Sequence, residues 1–328
     1  MSKAAELAAL IGSQSSLSNR NLIINGAMQV SQRGEDFGTL SSQAYTVDRW
    51  KFDSGVDVER VSLSVDEISE DTRLKYALKF LGNSGSQYFR QPIEDVTLFS
   101  GNTYTLSFWV KGSASTTLNN IYARQAFGSG GSSSVDTAFS PISHSVTTSY
   151  TKYIGTVTLP SISGKTVGSG NHLELFMQVP NGTSIYLTGV QLEVGEQATP
   201  FEHRSFGEEL DRCKRYYQNS FAYGTAPAND IFGVRMAVSK GGDSTVYGGA
   251  RVDFEKTMRA IPTITAYNPL AAPANSGAYL NDINNSSTTT QYAITGINAY
   301  EGSARFVVGG FNQGGNDFGC NWTADAEL

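Results

Sequence analysis

Between Asn21 and Val194 short runs of β-branched and aromatic residues repeat, each closed by Gly, Ser, Asn or Pro, and this punctuation leaves little room for anything but an antiparallel β-protein. The run "TYTLSFWVKGS" alternates strictly. Tyr104, Leu106, Phe108 and Val110 fall on one side, and Thr105, Ser107, Trp109 and Lys111 on the other. "NLIINGAMQV", "VERVSLSV", "LKYALKFLG", "SQYFRQPI", "YTKYIGTVTL", "HLELFMQVP" and "SIYLTGVQLEV" complete eight candidate strands. That number and spacing predict a sandwich of the jelly-roll kind. No strand runs into a helix through a Gly-rich phosphate loop, so neither a parallel α/β sheet nor a nucleotide cofactor is expected.

The order of signals along the 328 residues predicts a mainly β chain in four parts. Residues 1–20 hold a short amphipathic helix and a Ser/Asn-rich tether, with Leu7, Leu10 and Ile11 on the apolar stripe as the anchoring candidates. Residues 21–200 form the jelly roll. Residues 201–219 form a linker helix, and residues 220–328 a second, smaller C-terminal β-sandwich. In "SFGEELDRCKRYYQ" acidic residues come early and basic ones late, as the helix dipole favours, and Phe206, Leu210, Cys213 and Tyr217 form the expected stripe. His203 and Arg204, just before it, read as a polar clamp on the connecting backbone.

Charge sets limits on partners. Charged residues are 16% of the chain, against about 25% in an ordinary soluble domain. The formal net charge is -6 with no basic run, so neither nucleic acid nor an anionic membrane is an expected partner, and no membrane insertion is expected. Cys213 and Cys320 are far apart in sequence, neither a disulfide framework nor metal-ligand spacing, and are expected as reduced packing residues. The apolar run at the N-terminus is short and broken by Glu6, so no signal peptide is expected.

Several stretches resemble known families. "TYTLSFWVKGS" with "IYLTGVQLEVG" is similar to the jelly-roll carbohydrate-binding modules. "NLIINGAMQVSQRG", "YTVDRW", "GVQLEVGEQATPFEHRSFGEELDRCKRYYQ" and "WTADAEL" together resemble tail-fibre and virion-fibre proteins of tailed bacteriophages. That resemblance implies a homotrimeric tail fibre on the phage particle surface, made in the host cytoplasm, docked to a tail or capsid protein by its N-terminal helix. It also implies attachment to bacterial surface polysaccharide or lipopolysaccharide. The carbohydrate-binding modules often hold a structural calcium ion, but here Gly26-Ala27-Met28 and Thr188-Gly189 stand at the corresponding places without carboxylates, so no metal is expected.

Parity supplies the binding candidates. In "HLELFMQV" Leu173, Leu175, Met177 and Val179 form the core set, leaving His172, Glu174, Phe176 and Gln178 outside with Trp109 and Lys111 of the earlier strand. Rings among amides and charges suit a sugar. They equally suit a second domain or a sister subunit. Tyr279, Asn281, Asp282 and Asn285 in the long polar stretch 269–290, read as an exposed loop, are further candidates. For catalysis, His144, His172 and His203 are scattered without a nucleophile motif. Glycoside cleavage needs only two carboxylates about 5–10 Å apart, for which Asp66, Glu67, Glu193, Glu196 and Asp230 are formal candidates. The expectation is a non-enzymatic adhesin, with a structural head-fibre or tail-adaptor protein as the alternative and a depolymerase as the least favoured reading.

Overall fold

The computed structural model describes residues 19–83, 85–228, 235–236, 246–267, 279–282, 291–311 and 318–328. Two units are distinguished: residues up to Val30 with Asp36–Glu209 and Leu328, and Ser31–Glu35 with Leu210–Glu327. Leu7, Leu10 and Ile11 lie outside the described residues.

The first unit is an antiparallel sandwich. One sheet has the order β1 (Asp36–Thr39), β4 (Val56–Ser62), β5 (Tyr76–Gly82), β14 (Ile185–Val194), β7 (Thr103–Gly112) and β12 (Thr151–Thr158). The other runs β10 (Val135–Ala138), β9 (Tyr122–Ala126), β13 (His172–Val179), β6 (Gln87–Glu94), β3 (Lys51–Phe52) and β2 (Ala44–Tyr45). A separate pair joins β8 (Thr116–Leu118) to β11 (His144–Val146). One core cluster lies between the large sheets, taking Phe80, Leu106, Phe108 and Leu187 from the first and Phe52, Phe89, Leu175 and Met177 from the second. Phe80 and Phe89 meet across it with centroids 4.7 Å apart.

The segment 21–30 departs from the strand expected for it. Its apolar residues are buried, with Ile23, Met28 and Val30 at 0% exposure, yet it forms no strand. Two residues turn it: Asn25 and Met28 have φ of 61° and 57°, left-handed values that break an extended run. Asn25 holds the turn through its side chain, accepting from Val30 N–H at 2.9 Å and donating to the carbonyls of Val30 at 2.7 Å and Asp48 at 3.0 Å. Trp50 Nε1 donates to the Asn25 carbonyl at 3.1 Å. At Gly26 a Cβ would lie 2.1 Å from the Val190 carbonyl oxygen, so the close approach of two backbones requires glycine. The stretches "NLIINGAMQV" and "YTVDRW" are thus one buried polar clamp.

Helix α1 (Phe206–Lys214) begins where expected but buries a different face. Phe206 is 45% exposed, whereas Glu209 is 4% exposed and accepts from Asn25 N–H at 2.6 Å. A buried carboxylate needs partners. Arg204 Nη1, 3.5 Å away, supplies the opposite charge. Cys213 is buried as expected, and Tyr217 has left the helix for a strand.

The second unit is also antiparallel. β15 (Tyr217–Asn219), β23 (Asn321–Asp325) and β18 (Thr263–Tyr267) make a three-stranded sheet. The other sheet has the order β16 (Arg235–Met236), β22 (Phe318–Gly319), β19 (Tyr279–Asp282), β20 (Gln291–Tyr300), β21 (Ser303–Phe311) and β17 (Val246–Asp253). Trp322 and Ala324 of the first share a cluster with Ala304 and Phe306 of the second. Arg33 joins this unit by pairing with Asp325 and Glu327, each at 3.3 Å, its guanidinium 3.6 Å from the Tyr217 ring centre. Tyr279, Asn281 and Asp282 lie in β19 rather than in the exposed loop expected there, and Asn285 lies outside the described residues.

Candidate glycan-binding groove

The outward-reading residues of β7 and β13 belong to different sheets, so they do not share a surface. On β7 the parity itself holds: Leu106, Phe108 and Val110 are fully buried between the sheets. The opposite side is covered as well. Thr105, Ser107 and Trp109 are 0%, 3% and 7% exposed, and Trp109 packs with Ile68 and Leu74 under Ala27, Leu63, Tyr150 and Phe201. Trp109 is therefore a packing residue, contrary to its reading as a surface ring. Connecting segments laid over the sheet bury its indole, and a period-2 pattern does not register them.

Lys111, beside it, is committed. Its ammonium pairs with the Glu67 carboxylate and sits 4.9 Å from the ring centres of both Tyr150 and Tyr186. Burial alone would raise the Glu67 pKa, but hydrogen bonds from Lys111 and Ser64 outweigh it and hold the carboxyl below its usual value. Burial, and then the Glu67 charge, push the Tyr150 hydroxyl far up.

The outer face of the second sheet is different. Leu173, Leu175, Met177 and Val179 of β13 turn inward at 1% exposure or less, which leaves Glu174, Phe176 and Gln178 outward. Antiparallel register then sets their neighbours. Phe176 lies opposite Arg90 of β6 and Tyr122 of β9, Glu174 opposite Pro92 and Arg124, and Gln178 opposite Tyr88, while Arg124 faces Asp136 of β10. Tyr122 stacks on Phe176 with centroids 5.2 Å apart and planes at 17°, and Tyr88 meets it edge-on at 5.6 Å. The Arg124 guanidinium lies 4.6 Å from the Phe176 ring centre. These side chains line a groove of ≈ 450 Å³ with Asn120 at one side.

Phe176 is only 6% exposed and forms the base of the groove, while Tyr88 and Tyr122 are partly exposed beside it. The cations are fixed by carboxylates. Arg90 contacts Asp53 at 2.5 Å and Glu174 at 3.8 Å, and Arg124 holds both Asp136 oxygens, at 2.6 and 2.9 Å, with Glu174 at 3.5 Å. The hydrogen bond to Asp136, outweighing partial burial, raises the Arg124 pKa further. Such locked side chains present fixed donors beside the two tyrosine rings without rearrangement.

A smaller groove of ≈ 240 Å³ follows at the end of β13, lined by Thr116, Thr117, Asn119, Gln178, Pro180 and Asn181 among others. Between the two, Asn120 Nδ2 donates to Gln178 Oε1 at 2.5 Å. His172, at the other end of β13, donates from Nδ1 to the Gly170 carbonyl at 2.9 Å and is not among the lining residues.

β9 and β10, which carry Tyr122, Arg124 and Asp136, are not among the strands expected from the sequence. Nor are Tyr88 and Arg90 among the expected site residues. A signal exists: a ring and an arginine recur two residues apart in "QYFRQP" and in "YARQA", which places each pair on one face of its strand.

Of the carboxylates weighed for catalysis, Glu67 is taken by Lys111, and Glu193 is 3% exposed and paired with Arg20 Nε at 3.3 Å. Asp230 lies outside the described residues. The side chains of Tyr279 and Asn281 do as well. Among the described residues no three His, Cys, Asp or Glu side chains group as metal ligands, and no helix is long and apolar enough to cross a membrane.

No protein-family model and no curated protein matches the sequence. Among solved structures, the chain is similar to the CBM22-1 xylan-binding domain of Paenibacillus barcinonensis Xyn10C at 18% identity and a TM-score of 0.34, covering 52% of this chain and 100% of that one. The CBM22-1-CBM22-2 tandem of the same protein aligns over 91% of each chain at 12% identity and a TM-score of 0.33. The enzymatically active domain of tailspike protein 4 of bacteriophage CBA120 aligns over 54% of this chain and 22% of its own, at 16% identity and a TM-score of 0.32.

Proposed function

We propose that this chain binds glycan without cleaving it, in the groove floored by Phe176 and flanked by Tyr88 and Tyr122. The observation that carries the reading is the ring ladder: the partly exposed rings of Tyr88 and Tyr122, packed on the buried Phe176 and bordered by Asn120 and by arginines held in place, offer ring surface to a sugar's apolar face and polar groups to its hydroxyls. The wider reading is a homotrimeric virion fibre of a tailed bacteriophage that attaches to host surface polysaccharide. It rests on the resemblance of "NLIINGAMQVSQRG", "YTVDRW" and "EHRSFGEELDRCKRYY" to such fibres. In a trimer three shallow grooves would act together, so weak single contacts would give useful avidity.

The test is binding of the purified chain to host cells and isolated surface polysaccharide, with solution mass and released reducing sugar measured alongside. Saturable binding lost in Tyr122→Ala, without sugar release, supports the reading. A folded chain that ignores the cell surface makes it a structural part of the particle, and release of reducing ends makes it a depolymerase.

A further inference from the structure

Building on the glycan reading, we infer that the groove takes an uncharged oligosaccharide, and that this chain runs over the Asn120–Gln178 pair from the large groove into the small one.

Charge carries the first half. Arg90 and Arg124 are the cations lining the large groove, and each is already paired with carboxylates. Three carboxylates surround these two guanidiniums: Asp53 on Arg90, Asp136 on Arg124, and Glu174 within 3.8 Å of one and 3.5 Å of the other. A sugar carboxylate or phosphate entering here would have to displace a carboxylate already bound in two hydrogen bonds on Arg124, and would meet a surplus of negative charge. A basic groove for acidic sugars would show its arginines unpaired at the floor. Here Arg124 instead lies over the Phe176 ring, closing the ladder from the side.

The second half follows from the neighbouring groove. Its lining, Thr116, Thr117, Asn119, Gln178, Val179, Pro180 and Asn181, contains no ionisable side chain. Hydroxyls and amides both donate and accept, as sugar hydroxyls do. Asn120 lines the large groove and Gln178 the small one, and their mutual hydrogen bond leaves each amide with further groups for a ligand crossing between them. The small groove thus continues the large one as an uncharged path leading away from the paired ions.

The experiment measures binding of the full chain to matched pairs of oligosaccharides, neutral galacto- and manno-oligosaccharides against oligogalacturonate and oligomannuronate, from one to six residues long, at low and at physiological salt. The neutral member of a pair should bind at least about tenfold more tightly at low salt, with little salt dependence, and affinity should climb with length. Asn181→Ala should reduce the gain with length and leave the shortest ligands unaffected. Asp136→Asn, at an exposed position, should narrow the neutral-to-acidic gap. Preference for the acidic member, weakening with salt, overturns the charge argument while the glycan reading stands; affinity independent of length overturns the path between grooves. No binding by either class, from a chain shown to be folded, removes the glycan reading itself.

Discussion

Arg204 Nη2 donates to the carbonyl oxygen of Asn21 at 2.5 Å, a hydrogen bond between residues 183 positions apart in sequence. Its Nη1 donates to the Ile23 carbonyl at 3.0 Å, and Glu202 and Glu209 each lie 3.5 Å from the guanidinium. The side chain is 3% exposed. One buried arginine therefore fastens the segment before the sandwich to the segment leaving it.

Arg204→Met is expected to lose about 3–5 kcal/mol of stability, since it removes a cation 3.5 Å from the buried Glu209 carboxylate and a charged donor from each of two carbonyls. Arg204→Lys should recover only part of this, because a single ammonium does not reproduce the fork. Denaturant midpoints measured on the three proteins check both statements.

Trp109 and Tyr122 should separate stability from binding. Trp109→Ala opens a cavity beside Ile68 and Leu74 and should cost about 3–5 kcal/mol, with glycan affinity unchanged wherever the protein remains folded. Tyr122→Ala removes a partly exposed ring stacked on Phe176, so the stability loss should stay near about 1 kcal/mol while binding disappears. Melting curves and glycan titration on the same samples give the comparison.

These two residues also show what the sequence conveyed. The alternation in β7 correctly put Trp109 on the side away from Phe108, but a period of two reports sides, not what covers them, and residues 63–75 cover this one. On β13 the same rule found the outward set that includes Phe176. The rest of the groove lies on β6, β9 and β10 and depends on register, which a single strand does not contain. β9 gives little strand signal because "YARQA" has no β-branched residue, and the turn within Asn21–Val30 rests on two left-handed residues that hydropathy does not register. Glu209 carries no sequence sign of its burial, because a carboxylate is among the groups least expected in a core.

His144 gives a pH dependence. Burial lowers its pKa below 6.5, with its ring edge-on to Tyr153 and Nε2 3.2 Å from Thr151 Oγ1. The unfolded chain therefore binds this proton more readily than the folded one. Its stabilising contribution is complete above the unfolded value of about 6.5 and is lost as pH falls toward the lower folded value. His144→Gln should flatten the stability profile over that window, read as denaturant midpoints from neutral pH down to about pH 5.

Neither cysteine is in a disulfide and both are buried, Cys213 and Cys320 each at 1% exposure, and burial pushes the Cys320 thiol up to about 12. A thiolate-seeking reagent should modify neither residue in the native protein and both in denaturant. Reaction of a thiol under native conditions would contradict their placement as packing groups.

Arg33 pairs with Asp325 and Glu327, 292 and 294 residues later. A ribosome adding about 5–20 residues per second therefore emits Arg33 roughly 15–60 s before its carboxylate partners exist. Within that interval the last strand of the first unit ends at Val194, and the Tyr217 ring under the guanidinium follows, both before Asp325. Synthesis thus delivers every strand of the groove-bearing sandwich before the two carboxylates that hold Arg33.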